Sequence, residues 1–180
     1  MTVIALLQLD PTVGDLAGNV ALVEAAVAKA AEAGADMAVT SELVISGYPP
    51  RDMLMDAKFV SECESMSMEV NSPIPLLIGT PLTADKERQK PFNGVVRVDH
   101  SRTSKIVGRK QLLPTYDVFD EGRYFQSDDG PGIDRSLQSA SVGITICEDA
   151  WQHIGEVPSD YAADPIEQLA TWQHQGEPLA

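Results

Sequence analysis

Apolar positions along this chain fall in short runs of strand length, interrupted once by a stretch with helical spacing. Val3 to Leu9 is such a run, and it stops at Asp10-Pro11, where proline removes a backbone donor and favours a turn; the pattern predicts a buried first strand. Asp15 can cap the segment that follows, in which Val20, Val23, Ala26 and Val27 recur at helical spacing until Gly34 supplies a stop, so a helix is expected over roughly 17–33. Met37-Ala38-Val39-Thr40 reads as a second strand that delivers Ser41 and Glu42 to its carboxyl end. Gly47-Tyr48-Pro49-Pro50 can only be a loop, and 53–70 has helical character with a polar face. A third buried strand is expected over 75–80, a turn over 85–90, a hairpin from 95–98 and 105–107, and a last β-rich segment over 142–147. The acidic, glycine-rich 127–134 reads as a surface loop. This order predicts an α/β sheet of mixed strand directions, without internal repeats.

Composition narrows the class. The chain has 180 residues, 43% of them hydrophobic, enough for the core of one domain. No apolar run approaches 18 residues, and Met1 leads into Val3-Ile4-Ala5 without a basic flank, which points to the cytoplasm and away from a membrane. The formal net charge of −14 would repel a phosphate backbone, so nucleic acid is not an expected partner. Cys63 and Cys147 are too few for a disulfide framework, and His100, His153 and His174 lack metal-ligand spacing; no metal is expected.

Three reactive residues follow, or sit in, the predicted strands: Glu42 in Thr-Ser-Glu-Leu, Lys110 in Arg-Lys-Gln-Leu-Leu-Pro, and Cys147 in Ile-Cys-Glu-Asp. A carboxylate, an ammonium and a thiol at strand ends form an acyl-transfer set, because α/β sheets build sites at the carboxyl ends of their strands. A thiol with pKa near 8.5 needs a base to take its proton or a cation to hold its thiolate. Taken singly, each has a plainer reading: a solvated glutamate, a surface lysine in a basic pair, an inert core cysteine. Cys63, between glutamates on a predicted helix, keeps that plainer reading.

Ser41-Glu42, Arg109-Lys110 and Ile146-Cys147-Glu148-Asp149 resemble, in order and spacing, the three motifs of the nitrilase superfamily, whose members use a Glu-Lys-Cys triad on a four-layer αββα sandwich. The longer strings Gln8 to Asp15, Gly47 to Asp52 and Leu113 to Phe125 resemble the glutaminase domain of glutamine-dependent NAD synthetases, over about residues 3–170. The resemblance implies that Glu42 is the base, Cys147 the nucleophile, and Lys110 with the backbone amide of Glu148 the oxyanion donors. It further implies that Tyr116 contacts glutamine and that Glu121 supports the triad. No cofactor is implied for this reaction; ATP belongs only to the synthetase domain of that family.

The expected organisation is a nitrilase-type glutaminase domain over 1–170, incomplete at its C-terminal end, and a divergent polar tail over 171–180. Family members continue after the helix suggested by 164–170 into a strand and a serine-bearing loop that helps hold glutamine, and then into a synthetase domain with a Ser-Gly-Gly phosphate loop. The tail here matches neither. Expected partners are glutamine as small-molecule substrate and a synthetase domain or a second copy of the chain. Two rival readings stand beside this one: an inactive fragment or interaction module, and an amidase for another small amide. The chain alone is expected to hydrolyse glutamine poorly.

Overall fold

The computed structural model describes residues 1–86, 89–101, 103–135, 137, 141–152 and 161–174. Its larger sheet holds β1 (Ile4–Leu7), β2 (Met37–Thr40), β3 (Leu76–Leu82), β4 (Phe92–Val98) and β5 (Lys105–Arg109), paired in chain order. The first two pairings are parallel and the last two antiparallel. Helix α1 (Leu16–Glu32) joins β1 to β2, with Asp15 accepting the Gly18 N–H at 3.0 Å as its cap. Helix α2 (Ala57–Glu69) leads into β3.

Alternation along the strands sorts two cores. Leu76, Ile78, Val96 and Val98 face one way and pack with Val23, Val27 and Cys63 of the two helices. Met37, Leu77, Val95 and Val107 face the other way and meet Ile144 and Ile146. Those last residues border a smaller antiparallel sheet, β6 (Gly132–Asp134) and β7 (Val142–Ile144), backed by α4 (Pro165–His174), whose Leu169 packs against Gly143. The layers are therefore helix, sheet, sheet, helix, the αββα order expected.

Several sequence expectations need correction. β1 is not buried on both sides: Ile4 is 42% and Leu6 76% exposed, on the face that carries Met37 and Val39 in the neighbouring register. The reason is that β1 lies at the sheet edge while the small sheet sits over the β5 side, where Gly108 and Gly132 meet. The segment 127–134 is not wholly a surface loop, because pairing with β7 draws Gly132–Asp134 into a strand and buries Asp134 beside Arg97 and Lys105. The single helix expected over 53–70 is a 3-10 turn (Arg51–Met55) followed by α2, restarted by Asp56, which accepts the Lys58 N–H at 2.9 Å. β3 extends through Pro81, tolerated there because β2 pairs with β3 only as far as Leu77. Helix α4 runs to His174, with Thr171 Oγ1 donating to the Glu167 carbonyl. Residues 175–180 lie outside the described part.

No helix among the described residues is long and apolar enough to cross a membrane.

Candidate active site

The carboxyl ends of β2, β5 and β7 each release one of the three reactive residues. Glu42 opens a tight turn after β2 in which Leu43 adopts φ 52°, a left-handed conformation that costs free energy for a non-glycine residue. The turn is pressed against β3 at Gly79: a Cβ there would lie 2.5 Å from the Ser41 carbonyl and 2.8 Å from the Leu43 nitrogen. Only glycine fits so close an approach. Buried Asn19 ties the same turn to the β1–α1 loop, donating to the Thr12 and Ile45 carbonyls at 2.8 and 2.9 Å.

Lys110 follows β5 and is fully buried, its backbone N–H bonded to the Asn93 carbonyl at 2.7 Å. Its Nζ donates to Glu42 Oε1 at 2.7 Å and to Glu121 Oε2 at 2.7 Å. Burial opposes the ammonium charge, yet the two carboxylates outweigh it and raise the Lys110 pKa above the ordinary lysine value. Glu121, on α3 (Glu121–Tyr124), is itself buried; burial pushes its carboxyl up against the pull of Lys110, and Glu42 adds to the rise. Tyr48 donates to the other oxygen of Glu121 at 3.4 Å. Asn93 donates to Glu42 Oε1 at 2.6 Å. Among the described residues Glu42 Oε2 receives no hydrogen bond.

Cys147 begins a 3-10 turn (Cys147–Ala150) directly beyond β7 and sits at φ 49°, with its thiol exposed. Burial of part of the side chain and the nearby Glu42 charge push its pKa up, Lys110 pulls it down, Glu121 raises it, and the backbone N–H of Glu148 lowers it. Cys147 and Glu42 line one cavity of about 320 Å³, with Asn93 and the apolar Leu77, Val95 and Ile144 in its wall. Tyr116 donates to Glu148 Oε2 at 2.8 Å and Tyr161 to Oε1 at 3.1 Å, fixing the buried Glu148 carboxylate. Its setting pushes the Tyr116 phenol up to about 12, through burial first and the Glu148 carboxylate second.

Cys63 is on the other side of the larger sheet, buried in α2 among the helix-side core, its pKa pushed up to about 12 by burial and then by Glu62. It shares no wall with Glu42. Among the described residues no cluster of histidine, cysteine, aspartate and glutamate could hold a metal ion.

Buried Lys110 is paired with Glu42, and Glu42 lines one cavity with Cys147. A model of the family described as carbon-nitrogen hydrolase matches residues 3–174. The chain belongs to the carbon-nitrogen hydrolase family. This hydrolase is 37% identical over 159 residues to the glutamine-dependent NAD(+) synthetase of Synechocystis sp., an alignment covering 84% of this chain and 28% of that protein. The structure of the glutamine-dependent NAD+ synthetase of Acinetobacter baumannii, solved in complex with ADP, superposes with a TM-score of 0.75 at 25% identity, covering 94% of this chain and 30% of that one. An amidase of the nitrilase superfamily from Nesterenkonia AN1 superposes with a TM-score of 0.67 at 22% identity, covering 82% of this chain and 56% of that one, and shares its fold. The chain thus spans 28% and 30% of the two synthetases and 56% of the amidase.

Sequence reasoning did not single out Asn93, Tyr48 or Asp149 as site groups. Tyr48 stood in a string read as a loop, and Asn93 sits in a strand whose other residues are mostly apolar, so neither carried a local signal. Tyr116 and Glu148, read separately, prove to be hydrogen-bonded to one another.

Proposed function

We propose that this carbon-nitrogen hydrolase cleaves the side-chain amide of glutamine through a cysteine thioester, as the ammonia-supplying part of NAD synthesis. The observation that carries the reading is the division of labour on Glu42. Oε1 is held by Lys110 and Asn93, Oε2 receives no hydrogen bond among the described residues, and Glu42 lines a cavity with Cys147. A carboxylate anchored through one oxygen is a preorganised general base.

In the first half-reaction Glu42 takes the Cys147 proton and the thiolate attacks the amide carbon. Negative charge collects on the former carbonyl oxygen. The lysine ammonium has three N–H donors, of which Glu42 and Glu121 engage two; the third, with the Glu148 N–H, is assigned to that oxygen. The carbon–nitrogen bond breaks, the proton on Glu42 passes to the departing nitrogen, and ammonia leaves a thioester. Glu42 then deprotonates water, which attacks the thioester; glutamate departs and the thiol regains its proton. Tyr116 is the residue assigned to contact the glutamine substrate, its hydroxyl held by the Glu148 carboxylate. The domain division at residue 170 and the partnership with an ATP-dependent synthetase unit belong to the same proposal, supported by the similarity to NAD(+) synthetases.

The test is ammonia release from glutamine by the purified chain beside a Cys147→Ala control, together with labelling by a glutamine analogue that carries an electrophilic carbon at the amide position. Slow, saturable release of ammonia and glutamate in equal amounts, lost in the control, and labelling confined to Cys147 are expected. Release that survives Cys147→Ala, or labelling of Cys63 in its place, overturns the assignment.

A further inference from the structure

Asp149 is two residues beyond Cys147, is only 2% exposed, and reaches two segments at once. Its Oδ1 accepts the backbone N–H groups of Gln111 at 3.0 Å and Leu112 at 2.8 Å. Its Oδ2 accepts the N–H of Ile146 at 3.0 Å. Gln111 and Leu112 follow Lys110 directly, and Ile146 precedes Cys147. The strands that carry these two segments belong to different sheets: β5 pairs with β4, and β7 with β6. Among the described residues, therefore, no ladder of backbone hydrogen bonds fixes Lys110 relative to Cys147.

Resting on the amide-cleavage reading above, we propose that Asp149 is a positioning residue that clamps the Lys110 segment to the Cys147 turn and so sets the separation of oxyanion donor and nucleophile. An ionised carboxylate suits the task because both of its oxygens only accept, matching three converging donors. An amide in the same place would turn an NH2 group toward one of those N–H groups and leave a buried donor without a partner. The clamp also closes the turn in which Cys147 is held at φ 49°, a conformation that persists only where surrounding contacts impose it. Burial pushes the Asp149 carboxyl up, and the N–H groups of Leu112, Ile146 and Gln111 pull it back.

The experiment compares the unaltered chain with Asp149→Asn, following alkylation of Cys147 by iodoacetamide across pH, localised by peptide mass, alongside thermal unfolding and glutamine turnover. Glu42, Lys110 and Glu121 are the leading charges on the Cys147 thiol, and Asp149→Glu, which keeps the charge at 149 but displaces the carboxylate, separates a moved thiol from a lost charge: the midpoint is expected to move in it too. In Asp149→Asn the midpoint is expected to fall from its raised position toward that of an ordinary thiol, and kcat to drop on the order of 10²-fold with a smaller change in KM. A lower melting temperature with an unchanged midpoint and unchanged turnover per folded molecule overturns the proposal. Should the variant not fold, amide exchange in the unaltered chain decides: the Gln111, Leu112 and Ile146 amides are expected to be protected as strongly as those of β5, and exchange at the rate of free amides overturns the clamp. Alkylation needs no glutamine, so a shifted midpoint in a chain that releases no ammonia retains the clamp and rejects the glutaminase reading alone.

Discussion

Asn93 donates its side-chain amide to Glu42 Oε1 at 2.6 Å, the same oxygen that receives the Lys110 ammonium. Two donors on one oxygen hold the carboxylate in a single orientation and leave the other oxygen open. A hydrogen bond to a charged group contributes about 2 kcal/mol. Asn93→Ala is therefore expected to lower stability to urea by about that amount, and to lower kcat for glutamine more than it raises KM. An unchanged kcat would mean that Lys110 alone orients Glu42.

The thiol and the base respond in opposite senses to one substitution. After burial, Glu42 is the strongest influence raising the Cys147 pKa. Glu42→Gln removes that negative charge, so the midpoint of Cys147 alkylation is expected to move to lower pH and labelling at neutral pH to quicken. Glutamine turnover should fall all the same, by roughly 10²–10⁴-fold, because the proton acceptor is gone. A variant slowed in both assays would show that Glu42 does not act on the thiol in the way described.

Gly79→Ala places a methyl group 2.5 Å from the Ser41 carbonyl and 2.8 Å from the Leu43 nitrogen. Both are backbone atoms of the turn that carries Glu42, so the strain falls on that turn rather than on a side chain that could swing aside. Overpacking of this kind costs about 1–3 kcal/mol, and a matching loss in chemical denaturation is expected, with reduced glutamine turnover in the folded fraction. Full stability and activity would contradict the tight apposition of β3 and the turn.

Alkali should loosen the site through Lys110. Its pKa in the folded chain is raised, so the stabilisation from its ion pairs is fully present below the unfolded lysine value near ~10.4 and fades as pH climbs from there through the folded value. Thermal unfolding measured from neutral to strongly alkaline pH is expected to show a steep decline above that point, shallower in Lys110→Met. Tyr48, raised by burial and by the Glu121 and Glu42 charges and lowered by Lys110, contributes in the same direction, so both proteins are compared in a Tyr48→Phe background. Parallel curves would refute the assignment.

Much of this architecture was legible in the sequence because the apolar runs are short and cleanly bounded. The helix from Leu16, the strand from Met37 and the hairpin of β4 and β5 all carry their period and their stops locally. Glu42, Lys110 and Cys147 stood out because each follows such a strand. What escaped notice depends on contacts between distant segments. Gly132–Asp134 becomes a strand only because β7 lies beside it, and Asp149 reads as one more acidic residue until Gln111 and Leu112 arrive opposite. The exposure of Ile4 and Leu6 follows from the placement of the small sheet, which no local pattern encodes.

That apolar edge gives the chain a distinctive colloidal character. Molecules of net charge −14 repel one another while each carries the uncovered Ile4 and Leu6 on a strand at the margin of its sheet. The range of the repulsion is set by the medium: ions shorten it from about 10 Å at 0.1 M to about 3 Å at 1 M, which is little more than the width of a strand's own contact zone. Dilute buffer preserves that repulsion and concentrated salt removes it, so a rise in ionic strength favours the meeting of these edges.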